Sequence, residues 1–207
     1  AIEHLPLAER VAALRMPDMR QRLLAEEPQH SNEIFLWFSR QSAELYPLGA
    51  SPDYEPEPHL RLGAEAERRG ISAEELAYDM LLEQDGHACL LLPSSNYVDA
   101  SLEPIRGFLE HDHTLVALGD GGAHYGMICD SSFPTTMLAY WTRDRSRGPR
   151  IGIAGAVAAL SRRNALAVGL ADRGLIAPGL KADINLIDYD ALRLGAPRID
   201  HDLPGGG

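Results

Sequence analysis

Apolar positions along the chain first repeat at helical spacing. Leu7, Val11 and Leu14 share one helix face, as do Met19 and Leu23, and Pro17 separates the two patterns, so Leu5 to Glu27 reads as two short helices. The run Glu-Ile-Phe-Leu-Trp-Phe at Glu33–Phe38 predicts a short strand. Pro47, Pro52, Pro56 and Pro58 predict an extended surface loop over residues 46–58. Asp53, Tyr54, Glu55 and Glu57 either line a site in that loop or are simply solvated, and the solvated loop is the expectation.

The next helix carries the fullest set of signals. Ser72 and Glu75 form a capping box, Ile71 and Leu76 a hydrophobic staple, Met80 continues the apolar face, and Gly86 is the predicted stop. Ala88–Leu92 reads as a strand that ends at Pro93-Ser-Ser-Asn-Tyr97, and Ser101 caps a helix running to about Glu110. Thr114–Asp120 is an apolar run bounded by turn residues, hence a buried strand, with Gly121 and Gly122 turning the backbone after it. Beyond the loop 120–133 come a helix at about Thr135–Thr142, a basic turn Arg143–Arg150 and a small-residue helix Ile153–Asn164. Alternation of strand and helix at crossover lengths argues for α/β architecture with a parallel sheet or barrel. From Ala171 the pattern becomes turn-rich, and Ile184–Asp188 alternates like a short strand, the start of an appended β unit.

Composition narrows the class. The chain has 207 residues and a formal charge of −11, from 30 acidic against 19 basic side chains, which argues against nucleic acid or an anionic membrane as the main partner. No apolar run reaches membrane-spanning length and no signal peptide opens the sequence. Cys89 and Cys129 form neither a metal motif nor a disulfide framework, so a reducing cytoplasm is expected. The chain starts at Ala1 inside a helical pattern and stops at Pro204-Gly-Gly-Gly207, and so reads as an excerpt of a longer polypeptide.

Candidate chemistry gathers where strands end, because loops at the carboxyl ends of parallel strands carry the reactive groups. Asp120 is there, a metal ligand, a general base, or merely a cap on the following loop. His124, four residues on, binds metal, contacts substrate or orients Asp120. Asn96 and Tyr97 follow the preceding strand on the same rim and are candidate substrate contacts. Asp130, Ser131 and Ser132 read as caps of the next helix, and Cys129, without a basic partner, as packing. His111 and His113 alternate as metal-binding pairs do, but they precede their strand. Seven extended residues span roughly 23 Å at about 3.3 Å each, so His113 and Asp120 cannot share an ion across a straight strand. They are expected in a solvent-facing turn.

Three stretches carry a family resemblance. Val-Ala-Leu-Gly-Asp-Gly-Gly-Ala-His at 116–124, Cys-Asp-Ser-Ser-Phe-Pro-Thr-Thr at 129–136 and Gly-Leu-Ala-Asp-Arg-Gly-Leu-Ile-Ala-Pro-Gly-Leu-Lys-Ala-Asp at 169–183 resemble the carboxyl-terminal part of a metal-dependent amidohydrolase. The nearest branch is that of the N-acyl-D-amino-acid deacylases, and His201-Asp-Leu-Pro-Gly-Gly continues the similarity. The resemblance implies the end of a (β/α)8 TIM barrel over residues 1–168, with Ala88–Leu92 as strand seven and Thr114–Asp120 as strand eight. Residues 169–207 would begin a small β-sandwich domain.

It further implies one or two Zn²⁺ ions, with Asp120 as base and proton shuttle and a potential metal contact, and His124 in a lesser metal or substrate role. A catalytic zinc takes about three protein ligands. The family's other ligands have no counterpart here, so most are expected upstream of Ala1, in the same polypeptide or a companion chain, and a homo-oligomer is compatible. The loop at Tyr125–Asp130 departs from the deacylase pattern. The implied reaction is hydrolysis of a small-molecule amide, and the chain alone is expected to be inactive. The alternatives are a cyclic-amide hydrolase of the dihydroorotase or hydantoinase kind, and a noncatalytic partner subunit that keeps the fold.

Overall fold

The structure, a computed structural model, describes residues 2–117 and 132–198. The chain divides into two compact units, Ala1–Ala100 and Ser101–Gly207.

In the first unit, α1 (Leu7–Leu14) and α2 (Pro17–Ala25) form as the periodicity predicts. Met16 is extended, as a residue before proline prefers, and Pro17 starts α2 where its missing N–H costs nothing. The pair is tied to α5 (Ala73–Leu81) by polar contacts. Arg20 meets Asp79 through two bonds of 2.9 Å, and the Tyr78 hydroxyl donates to the Leu14 carbonyl at 2.6 Å. The capping box is present in both directions. The Glu75 N–H donates to Ser72 Oγ at 3.1 Å, and the Ser72 N–H donates to Glu75 Oε2 at 3.0 Å.

Helix α5 ends before Gly86, at Leu81, and a turn over Glu83–Gly86 carries the chain on. Gly86 has another role there. At φ +84° a Cβ would lie 2.5 Å from Val11 Cγ2, so only glycine lets this turn close onto α1. α4 (Leu62–Arg69) packs on α5 through Leu62, Ala66, Leu76 and Ala77, all buried, with Leu45, Met80 and Leu90 beside them.

In this unit two elements differ from the sequence reading. Glu33–Phe38 is not a strand but helix α3 (Glu33–Ser39), started by Asn32, whose side chain accepts from the Ile34 N–H at 2.8 Å. Ile34 and Trp37 on it are exposed. The stretch read as loop begins with a strand, β1 (Tyr46–Leu48), antiparallel to β2 (Cys89–Leu91), with Tyr46 opposite Leu91 and Leu48 opposite Cys89. Pro47 is tolerated because β1 is an edge strand, where one N–H has no ladder partner to serve. The rest of that loop is not wholly solvated, since Glu55 is buried.

The second unit is helical among its described residues. Ser101 Oγ accepts from the Glu103 N–H at 3.1 Å and α6 runs Glu103–Glu110. α7 (Phe133–Ala139) continues into a wide, π-type turn at Tyr140–Asp144, closed by the Arg145 N–H on the Tyr140 carbonyl at 2.8 Å. α8 (Ile153–Ala158) repeats the device at Ala159–Arg163 before α9 (Asn164–Ala167). Met137, Trp141, Ile151 and Ala156 form the core with Val116, and Ile105 and Leu109 of α6 close it.

The basic turn is built around Arg145, whose side chain is wholly buried. Its Nη1 donates to Glu103 Oε2 at 3.0 Å and to the Pro149 carbonyl at 2.8 Å, and the guanidinium lies 5.0 Å from the Trp141 ring centroid. A Cβ at Gly148 would sit 2.8 Å from the guanidinium carbon, so the turn needs glycine to close on the cation. Residues 114–117 carry no ladder, and Ile184–Asp188 is exposed and unpaired among the described residues. No helix of the described residues is long and apolar enough to cross a membrane.

Candidate functional site

The chain leaves β2 through Leu92 and Pro93 into a segment with unusual backbone. Asn96, Asp99 and Ala100 have φ of 60°, 53° and 54°, the left-handed region that side chains with a Cβ visit at a cost. Asparagine tolerates it best, and Asn96 is exposed there. Tyr97 is half-buried, and both its hydroxyl and its ring are held. Its hydroxyl donates to the Pro56 carbonyl, and its ring meets Tyr46 edge-on, centroids 6.4 Å apart. Buried Glu55 precedes Pro56, so the proline-rich segment braces this tyrosine.

Tyr97 forms one wall of a cleft of about 380 Å³ at the carboxyl end of β2. Trp37 and Gln41 of the α3 region, Tyr46 of β1, and Glu44 and Arg61 line it as well. Arg61 Nη1 donates to both Glu44 oxygens, at 2.9 and 3.1 Å. Main-chain bonds set the arginine in place: its own N–H donates to the Pro58 carbonyl at 3.3 Å and the Leu62 N–H to the Leu45 carbonyl at 2.8 Å. The lining combines aromatic faces, an amide, a cation and the Glu44 carboxylate that pairs with it. That mixture suits an amphipathic small molecule with an acyl or aromatic part and a polar end. A second crevice, about 310 Å³ between α1 and α2, is walled by Leu14, Met19 and Leu23 and holds none of the candidate residues.

Of the sequence candidates, Tyr97 lines the cleft and Asn96 adjoins it. Asp120 and His124 lie outside the described residues, as do Cys129, Asp130 and Ser131. Ser132 takes the cap position of α7. His111 and His113 sit in an exposed turn after α6, as expected. The His113 N–H donates to His111 Nδ1 at 3.2 Å, and the rings are 5.5 Å apart. Among the described residues no group of three or more His, Cys, Asp or Glu side chains is placed to hold a metal ion. We expect His111→Ala and His113→Ala to leave any bound metal and any hydrolase turnover within about twofold, as for exposed side chains away from special features. Metal analysis alongside an activity assay checks this, and a large loss of bound metal in either variant would overturn it.

Sequence reasoning missed Trp37, Glu44 and Arg61. Their only local signal was the Asn32 cap, which marks Glu33–Ser39 as helix and turns Trp37 from a strand residue into a helix-face residue.

The sequence model of the Amidohydrolase family matches residues 41–204, well over half of the chain. It spans Gln41, Glu44, Tyr46, Arg61 and Tyr97 of the cleft, both candidate residues Asp120 and His124, and the 169–183 segment. No curated protein and no solved structure matches the chain. A match of that extent, over the cleft and all three stretches that carried the resemblance, places the chain in the amidohydrolase family of hydrolases.

Proposed function

We propose that this chain is the carboxyl-terminal portion of a metal-dependent hydrolase that cleaves the amide bond of an N-acyl-D-amino acid. The observation that carries the reading is the family match over residues 41–204, taken with an amphipathic cleft at the carboxyl end of β2. In this proposal β2 belongs to strand seven of a (β/α)8 barrel and Thr114–Asp120 is strand eight. Residues 1–168 complete the barrel and 169–207 begin the β-sandwich. Active sites of such barrels lie at the carboxyl ends of the strands, where Asn96, Tyr97 and Asp120 then share a rim.

The chemistry assigned to the chain's own residues is proton transfer and binding. Asp120 accepts a proton from the attacking water and returns it to the leaving amine nitrogen, the work of a general base that becomes a general acid. Tyr97, with Asn96 beside it, contacts the substrate, and His124 borders the reacting centre. Zn²⁺, as one ion or two, supplies the lowered water pKa that makes attack on an amide feasible near neutral pH. The described residues do not build its site, so the proposal places its ligands among Asp120, His124 and residues of the wider polypeptide or a companion chain.

The polypeptide that contains this chain should be assayed on N-acyl-D-amino acids, their L-enantiomers and cyclic amides, before and after chelation. The expected result is cleavage of the D-series, lost on chelation and restored by Zn²⁺. Faster cleavage of dihydroorotate or a hydantoin would replace the proposed substrate with a cyclic amide. Absence of both zinc and turnover would make the chain a noncatalytic partner.

A further inference from the structure

We infer that Arg61 is the carboxylate anchor of the cleft and gives it a preference for ligands with a free carboxylate. The inference rests on the amide-hydrolase reading for the identity of the ligand, an N-acyl amino acid, and on the cleft itself for the anchor. Arg61 spends only part of its donor set. Nη1 serves both oxygens of Glu44. Nε is shielded from solvent and donates to no acceptor among the described residues. A guanidinium has a second edge, Nε with Nη2, whose two parallel N–H groups match the two oxygens of a carboxylate. That edge is the half of Arg61 that Glu44 leaves unused.

The surrounding geometry favours a ligand over an internal partner. Side-chain exposures of 42% for Arg61 and 51% for Glu44 make theirs a water-screened pair that contributes little and leaves the guanidinium able to turn toward the cleft. The backbone beneath it does not move with it, since residue 61 starts α4 and Leu62 is buried at 1% exposure. A carboxylate seated there would give the shielded Nε–H an acceptor after a small rotation of the exposed head group. Trp37 and Tyr97 on the walls would then face the side chain or acyl group of the same molecule. A carboxamide in the same place offers one acceptor and no charge, and so loses both the second bond and the charge assistance.

Titration calorimetry of the intact polypeptide with N-acetyl-D-phenylalanine and with its carboxamide tests this. The acid should bind about tenfold more tightly or better. Arg61→Met should weaken the acid by about 10- to 100-fold and change the carboxamide by no more than about twofold. Arg61→Lys keeps the charge but not the fork, and should recover only part of the loss. Thermal unfolding of both variants confirms that α4 is intact. Equal weakening of acid and carboxamide, or acid binding indifferent to both substitutions, would overturn the inference. Loss of acid binding in an enzyme that cleaves neither compound would support the anchor and count against the deacylase reading. Cleavage of the acid with binding insensitive to Arg61 would do the reverse.

Discussion

Asp120→Asn lowers turnover of the proposed amide substrate by roughly 10²–10⁴-fold, the usual worth of a positioned proton-transfer group. The amide is nearly the size of the carboxylate, so the folded protein and much of the proposed metal should persist. The loss should fall on kcat more than on KM, because the proton moves in the transition state and not on binding. Steady-state kinetics with parallel metal analysis gives both readouts. A variant with near-wild-type kcat on its best amide would reduce Asp120 to a loop cap and leave the catalytic reading on family membership alone.

Arg145→Ala should have the largest effect on stability, about 3 kcal/mol. It removes a charge-assisted hydrogen bond to Glu103 and the stacking on Trp141, and it leaves a cavity in the core. Arg145→Lys should recover only part of this, since an ammonium lacks the planar face that the guanidinium lays toward the Trp141 ring. The denaturant midpoint of the intact polypeptide, at unchanged slope, is the measurement, and a midpoint equal to wild type would show that the turn is held without the cation.

The same contact gives a pH dependence. Arg106 first, then Arg145, hold the Glu103 carboxyl below the usual carboxylate range. The folded chain therefore binds that proton less readily than the unfolded one. The contribution is complete above the unfolded value and is lost as the pH falls through the lowered one. Acid should loosen the second unit at this point.

What could be read in advance follows from the reach of each interaction. Ser72 and Glu75 are three residues apart and satisfy each other's backbone groups, so the sequence contains the whole start of α5. Pro17 likewise divides α1 from α2 by its own geometry. Glu33–Phe38 misled because six apolar-rich residues fit a buried strand or a short helix equally well. The deciding atom, Asn32 Oδ1, lay one residue outside the run. β1 was hidden by Pro47, a residue that argues against a strand until an edge position is known to be free.

The cleft was the least legible part. Tyr97 was found because it follows a strand end, but its wall partners Trp37 and Arg61 stand 60 and 36 positions away and meet it only through tertiary packing. Glu55 was read as solvated because proline-rich segments usually are, and nothing local announces that Tyr97 will pull its neighbour Pro56 inward.

The two wide turns have a genetic consequence. Each accommodates about one residue more than an α-helical turn would hold over the same path, and the second, which runs on into α9, acts as an insertion absorbed within a helix instead of being extruded as a loop. Removing a single codon within 159–163 would leave the reading frame intact and convert the wide turn into an ordinary α-helical one, so the helix beyond keeps its phase, whereas the same loss from an ordinary turn rotates everything after it by about 100°. Asn164, whose Nδ2 donates to the Val116 carbonyl at 2.6 Å, would stay on the same face and keep that bond. A second deletion in the same stretch would find no bulge left to remove and would swing Asn164 away from Val116.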